Sequence, residues 1–290
     1  MIQLPSPLQE IHDPRLTEAG VKLWMKRDDL IHPHLSGNKW RKLKGYLEKA
    51  AALKTESLIS FGGARSNHLA ALAYAGKALG YKTIGYIRGE EWANTTNPTL
   101  TFLEENGMSL HYLSRTDFRR IRDTDFLDEV NKTYSNSLII PDGGYGEDGL
   151  VGFKELIEEI KIEYDIIVSP CGTGTTATGL LKYKPSDVKV IAISALKNYH
   201  DHAKEIAQLL SKKELLQDLS IWPNQSNSGF GQQDDISASF QEDWERQQNS
   251  TLDPVYTAKA LCTLFTAIQA KRFPFGTRLI FLHTGGLQGR

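Results

Sequence analysis

The sequence predicts an α/β protein whose parallel sheets carry helices on both faces. Three observations lead there. Short apolar and β-branched runs of strand length recur along the chain; each is followed by a longer segment with apolar residues at helical spacing; and glycine, proline or asparagine stands at most of the joints. Strand–helix alternation implies crossover connections, and crossovers make neighbouring strands parallel.

After an entry broken by Pro5 and Pro7, Val21–Lys26 alternates as a strand, and Arg27-Asp28-Asp29 forms a polar corner. Behind the turn Gly37-Asn38, residues Leu43, Tyr46, Leu47, Ala50, Ala51 and Leu53 have helical spacing. Ser57–Phe61 reads as a buried strand, Gly62-Gly63 as its turn, and Asn67–Leu79 as an Ala/Leu-rich helix stopped by Gly80. Lys82–Ile87 completes a βαβ unit. Asn97-Pro98, an N-cap with proline in the first turn, opens a helix that ends at Asn106-Gly107. Strand Met108–Leu113, a helix within Asp117–Tyr134 and strand Ser137–Ile140 follow. The turn-rich interval Pro141-Asp142-Gly143-Gly144-Tyr145-Gly146 marks a domain crossing. Alternation then resumes with a helix over 150–163, strand Asp165–Ser169, a helix from Thr175, strand Val188–Ser194, a helix over 200–217 and strand Leu219–Trp222. A polar loop, 224–235, leads to helices over 236–248 and 255–272 and a last strand, Arg278–His283.

Composition narrows the function classes. With 290 residues, 40% hydrophobic and 24% charged, the chain can bury a sizeable core. A net charge of -1 leaves no electrostatic footprint for nucleic acid or an anionic membrane. Cys171 and Cys262 lie far apart and form no metal-ligand cluster, which suggests a reducing compartment. The N-terminus lacks a basic region followed by an apolar run, and no stretch reaches transmembrane length, so a cytoplasmic protein is expected. The pairs His32/His34 and His200/His202 have no third ligand nearby, so no metal is expected.

Four stretches carry chemistry. In Ser36-Gly37-Asn38-Lys39-Trp40-Arg41-Lys42, Lys39 falls at a helix mouth, where the dipole disfavours its positive charge and eases release of the free amine that attacks a carbonyl. The same run of basic residues also fits a solvated helix face. Pro170-Cys171-Gly172-Thr173-Gly174-Thr175-Thr176-Ala177-Thr178-Gly179 lies between strand and helix, and its glycines and hydroxyls suit a phosphate at a helix N-terminus. It lacks the Gly-Lys-Ser/Thr of a nucleotide loop, and Ser194-Ala195-Leu196 stands where a dinucleotide fold would place an acid; a purely structural turn is the competing reading. Gly62-Gly63-Ala64-Arg65-Ser66-Asn67-His68 serves either to cap a helix or to bind a carboxylate or phenolic oxygen there. Asp253-Pro254-Val255-Tyr256-Thr257 is at the least an N-capped helix start.

Together and in this order, the four stretches resemble the pyridoxal-phosphate enzymes of the 1-aminocyclopropane-1-carboxylate deaminase / D-cysteine desulfhydrase family, from about Leu4 to His283-Thr284-Gly285-Gly286. The resemblance implies a two-domain tryptophan synthase β-like fold, with a small domain (41–142) inserted in a large cofactor-binding one (1–40 and 143–290), and a homodimer. It implies that Lys39 holds pyridoxal 5'-phosphate covalently and moves the substrate's Cα proton. Lys42 would bind the phosphate with Gly172, Thr173, Gly174, Thr175 and Thr176; Asn67 would meet the phenolic oxygen; Ser66 and His68 would face the substrate carboxylate; Tyr256 would stack on the ring and Thr257 meet its nitrogen. Threonine at 257 and histidine after Ser-Asn look like the desulfhydrases, whereas the deaminase has glutamate at the former position. The expected reaction is therefore β-elimination from D-cysteine or a related D-amino acid, giving pyruvate, ammonia and sulfide. The alternatives are ring-opening deamination to 2-oxobutanoate and a catalytically weak cofactor-binding protein. Arg65 replaces an expected glutamine and Phe230 an expected tyrosine, and both bear on the choice.

Overall fold

The computed structural model describes residues 2–35, 37–195, 200–225 and 234–286. In chain order it contains β1 (Leu8–Ile11), α1 (Pro14–Ala19), β2 (Lys22–Lys26), α2 (Asn38–Leu53), β3 (Ser57–Gly63), α3 (Asn67–Leu79), β4 (Lys82–Arg88), α4 (Pro98–Glu105), β5 (Met108–Leu113), α5 (Thr124–Thr133) and β6 (Ser137–Ile140). The chain continues through α6 (Gly152–Glu159), β7 (Ile166–Cys171), α7 (Thr175–Tyr183), β8 (Lys189–Ser194), α8 (His200–Leu209), β9 (Leu219–Pro223), α9 (Asp235–Gln248), α10 (Thr257–Gln269) and β10 (Arg278–Leu282).

The strands form two sheets, a four-stranded one ordered β5-β4-β3-β6 and a six-stranded one ordered β1-β2-β10-β7-β8-β9. The smaller is parallel throughout. The larger is parallel except for β1, which pairs antiparallel with β2 at the edge. Both faces of both sheets are covered, so alternate residues of a strand enter different cores. In β10, Leu279 and Phe281 join the core under α10, while Ile280 and Leu282 join the one under α7. In β3, Leu58 packs against α3, and Ile59 and Phe61 pack on the opposite face.

Some details depart from the sequence reading. β1 and α1 were not expected, because four residues between prolines give too little pattern; the signal for α1 is Asp13-Pro14, with the Asp13 carboxylate accepting from Arg15 N–H at 2.9 Å. Gly62 and Gly63 lie in β3, and the turn follows them. The helix expected over 200–217 stops at Leu209, and a 3₁₀ turn, Lys213–Asp218, brings Leu215 and Leu216 onto the core that holds Ile206 and Leu210.

One helix depends on buried charge. Arg41 is fully buried on α2 and bonds both Asp28 carboxylate oxygens, at 3.1 and 3.0 Å, and both Glu159 oxygens, at 2.8 and 2.8 Å. Lys26 Nζ adds bonds to Glu159 at 2.5 Å and to the Ser6 carbonyl at 2.6 Å. Burial works to raise the Glu159 carboxyl, and the bonds from Arg41 and Lys26 outweigh it, so the group sits below its ordinary range. The cluster ties α2 to β2 and α6. Gly152 lets the two helices touch, since a Cβ there would stand 2.3 Å from the Arg41 carbonyl oxygen. Arg41→Met leaves the buried Asp28 carboxylate without its cation and Glu159 with Lys26 alone, and is expected to cost about 3–5 kcal/mol in chemical denaturation.

Candidate active site

The mouth of α2 is held by segments from both ends of the chain. Gly37 adopts φ 65°, which glycine reaches without strain, and its N–H donates to the Asp28 carbonyl at 2.7 Å. A Cβ at Gly37 would lie 1.8 Å from the Thr284 carbonyl oxygen, and that oxygen accepts from Asn38 N–H at 3.3 Å. Asn38 then reaches in two directions. Its amide nitrogen donates to Thr176 Oγ1 at 2.9 Å, and its carbonyl oxygen accepts from Lys39 Nζ at 2.6 Å. The lysine turn and the Gly/Thr loop thus meet through a single side chain.

The Gly/Thr loop runs from the end of β7 into α7, with Gly174 in the left-handed region at φ 76°. Thr173 and Thr175 hydroxyls lie 3.0 Å apart, and the Thr178 hydroxyl back-bonds to the Gly174 carbonyl at 3.0 Å. Gly172 faces the Tyr256 ring: a Cβ there would stand 3.1 Å from Tyr256 Cε1. The crossing segment threads beside this loop. A Cβ on Gly143 would meet Thr173 at 2.8 Å, and one on Gly144 would meet Lys42 Cβ at 3.0 Å and His68 Cε1 at 3.6 Å.

At the mouth of α3, the Ser66 hydroxyl accepts from Leu69 N–H at 3.2 Å and keeps its own hydrogen to donate. Asn67 reaches across to Gly286, whose carbonyl oxygen lies 3.4 Å from its amide nitrogen. The same glycine adjoins Asp253, since its Cβ would lie 3.6 Å from Asp253 Cγ. Asp253 caps α10: its carboxylate accepts from the N–H groups of Val255, Tyr256 and Thr257 at 3.0, 2.8 and 2.9 Å. The Thr257 hydroxyl donates to that carboxylate at 2.9 Å and accepts from Asp253 N–H at 2.8 Å.

The electrostatics are unusual. Burial pulls the Lys39 amine down to about 8, with Asp253 opposing in part. Burial, and then the charge of Lys39, pull Lys42 down to about 7. Tyr256 is pushed up by burial first and by Asp253 second. Burial raises the Cys171 thiol to about 12, so it stays protonated.

All the sequence-predicted residues except Ser66 are linked through these contacts, and Ser66 shares its helix mouth with Asn67 and His68. Arg65 is exposed. Phe230, with the rest of 226–233, lies outside the described residues, as does Ser36. Sequence reasoning missed Asn38, Asp253, Gly286 and the pair Gly143-Gly144 as parts of the site. Consecutive glycines at 143 and 144, both with positive φ, were read only as a domain joint. Among the described residues no group of three metal-ligating side chains occurs, and no helix is long and apolar enough to cross a membrane.

Residues 2–285 match the family described as pyridoxal-phosphate dependent enzyme. The chain belongs to that family. It is 28% identical over 313 residues to the mitochondrial bifunctional D-cysteine desulfhydrase/1-aminocyclopropane-1-carboxylate deaminase of Arabidopsis thaliana, covering 100% of this chain and 78% of the relative. It is 27% identical over 311 residues to a putative 1-aminocyclopropane-1-carboxylate deaminase of Pyrococcus horikoshii, covering 100% of this chain and 91% of the relative. Among solved structures, an ACC deaminase homologue superposes with a TM-score of 0.85 at 25% identity, over 99% of this chain and 91% of its own. The protein is therefore a cofactor-dependent enzyme with the α/β fold of its family.

The residues present fit pyridoxal phosphate. Lys42 is buried with no hydrogen-bond or ion-pair partner among the described residues, and a phosphate beside it supplies the missing anion. The Gly/Thr loop offers amides at the N-terminus of α7. Gly172 leaves open a face against the Tyr256 ring that a Cβ would fill.

The two lysines also set a pH dependence. Their amines are lowered in the fold, so between about pH 7 and the ordinary lysine value of about 10.5 the unfolded chain binds more protons, and stability rises with pH. Cofactor-free protein is expected to melt higher at about pH 9 than at about pH 6.5, with a weaker slope in Lys42→Met and in protein loaded with pyridoxal phosphate.

Proposed function

We propose that the protein is a pyridoxal-phosphate dependent lyase that eliminates the Cβ substituent of a small D-amino acid, D-cysteine being the first candidate. The observation that carries this reading is the Lys39 amine, lowered to about 8 and joined through Asn38 to the Gly/Thr loop. When bound, the cofactor supplies an electron sink for the pair left on Cα. The chain's own residues do the rest.

Lys42 and the amides of Gly172, Thr173, Gly174, Thr175 and Thr176 hold the phosphate. Tyr256 would cover the ring against Gly172, Thr257, its hydroxyl hydrogen held by Asp253, would face the ring nitrogen, and Asn67 would donate to the phenolic oxygen. Ser66 donates its free hydroxyl hydrogen to the substrate carboxylate, and the N–H groups at the mouth of α3 add theirs. The Lys39 amine, as free base, would accept the proton from Cα. Loss of thiolate from Cβ completes the elimination, and hydrolysis gives pyruvate, ammonia and sulfide.

Ring opening to 2-oxobutanoate is the second reading, favoured by the name of the Arabidopsis relative, which carries both activities. The domain division at 41–142 gains support from the two sheets, since all four strands of the smaller one fall inside it. A homodimer is the proposed working form by resemblance alone, and sedimentation tests it; a cytoplasmic location is proposed from the sequence reading of the N-terminus and the cysteines.

Adding D-cysteine to reconstituted protein is expected to shift the visible absorbance of the bound cofactor while pyruvate and sulfide appear in equal amounts. 2-Oxobutanoate from the cyclopropane substrate, with no sulfide from D-cysteine, would select the second reading. Lys39→Ala is expected to lose the absorbance band and to lower turnover by at least about 10³-fold, as removal of an essential proton carrier does. A variant that keeps both overturns the role of Lys39.

A further inference from the structure

His68 poses a hydrogen-bonding problem that a role at the substrate carboxylate does not solve. Its side chain is buried, with Nε2 2.9 Å from Ser60 Oγ, and Ser60 Oγ lies 2.7 Å from the Ile140 carbonyl oxygen. A hydroxyl has one hydrogen. Two oxygens that close need it between them, so Ser60 donates to Ile140 and cannot also donate to His68. The imidazole must donate from Nε2. Nδ1 is then a bare lone pair, and it is buried without a partner among the described residues. Burial first, and then Lys42 and Lys39, push the group down to about 3, so the ring is neutral.

A neutral acceptor nitrogen cannot hold a carboxylate, which only accepts; it can hold a donor. The neighbouring donor with no partner is Lys42. Both side chains border Gly144, where a Cβ would stand 3.0 Å from Lys42 Cβ and 3.6 Å from His68 Cε1, and Lys42 is the foremost charge acting on His68. A buried acceptor without a partner and an amine without a partner among the described residues therefore lie on side chains that both border Gly144.

We propose that His68 is a positioning residue for the cofactor phosphate: its Nδ1 accepts one N–H of the Lys42 ammonium and turns the remaining two toward the phosphate. The proposal rests on the reading of Lys42 given above. The bonds then run without a break from the Ile140 carbonyl through Ser60, His68 and Lys42 to the phosphate. Strands β3 and β6 of the smaller sheet are thereby tied to an anion bound at α7 of the larger one.

The test is a titration of the wild-type protein, His68→Phe, Lys42→Met and the double variant with pyridoxal phosphate and, separately, with unphosphorylated pyridoxal, followed by absorbance. His68→Phe is expected to weaken pyridoxal phosphate roughly tenfold, to leave pyridoxal unchanged, and to cost nothing further in the Lys42→Met background. Equal losses for both ligands, or an undiminished loss without Lys42, overturn the proposal. ¹⁵N spectra of the histidines in the unsubstituted, loaded protein read the tautomer directly, whatever the variants' folding. Nε2–H with an unprotonated, hydrogen-bonded Nδ1 supports the proposal; a ring protonated at Nδ1 overturns it. If Lys42→Met leaves pyridoxal phosphate affinity unchanged, the phosphate reading of Lys42 falls and takes the proposal with it, an outcome distinct from a failure of His68 alone.

Discussion

The structure depends on a single awkward burial: the N-terminal turn of one helix carries Arg41 and Lys42 into the interior, with Lys39 half-buried beside them. Three cations within four residues would not stay there unaided. The fold answers each differently. Arg41 is neutralised by Asp28 and Glu159, which costs desolvation and returns a fixed orientation for α2. Lys39 has the Asn38 amide oxygen and, further off, Asp253. Lys42 has neither, and its amine is the most easily deprotonated of the three.

This unequal treatment separates structure from chemistry along one helical turn. The residue that must never move is given full counter-charge and buried bonds. Lys39 and Lys42 are left with lowered proton affinity, the condition that suits an amine to nucleophilic attack or to taking up an anion. The helix N-terminus adds to the same effect, since its exposed amides disfavour cations and favour the anions expected nearby. The small residues around this turn follow the same logic: backbone approaches Gly37 and Gly152 too closely for a Cβ, and side chains stand close to Gly144 and Gly172.

Much of this was legible in the sequence. The strands and helices of the smaller sheet carry strong period, clear caps such as Asn97-Pro98, and glycine stops, so their order could be read without knowledge of packing. Lys39, Asn67, the Gly/Thr loop and Tyr256-Thr257 stood out because glycine, hydroxyl and lysine side chains cluster at strand–helix joints. What escaped was whatever depends on residues distant in sequence. Asp253 looked like an ordinary N-cap, and only the fold brings it near Lys39 and Gly286. The neutral state of His68 follows from Ser60 and Ile140, which no local pattern connects to it. The antiparallel β1 escaped because four residues between prolines are too few to show a period.

β10 is the last strand among the described residues, yet it lies between β2 and β7 in the middle of the larger sheet, and Thr284 just beyond it holds Gly37 and Asn38. These neighbours can meet only once β10 has been made, well after the strands of the smaller sheet. The smaller sheet can form much earlier, because its strands all lie between Ser57 and Ile140. Synthesis therefore imposes an order: the smaller sheet can form while the larger waits for β10, and the turn that carries Lys39 gains its bond to the Thr284 carbonyl only after that strand is in place.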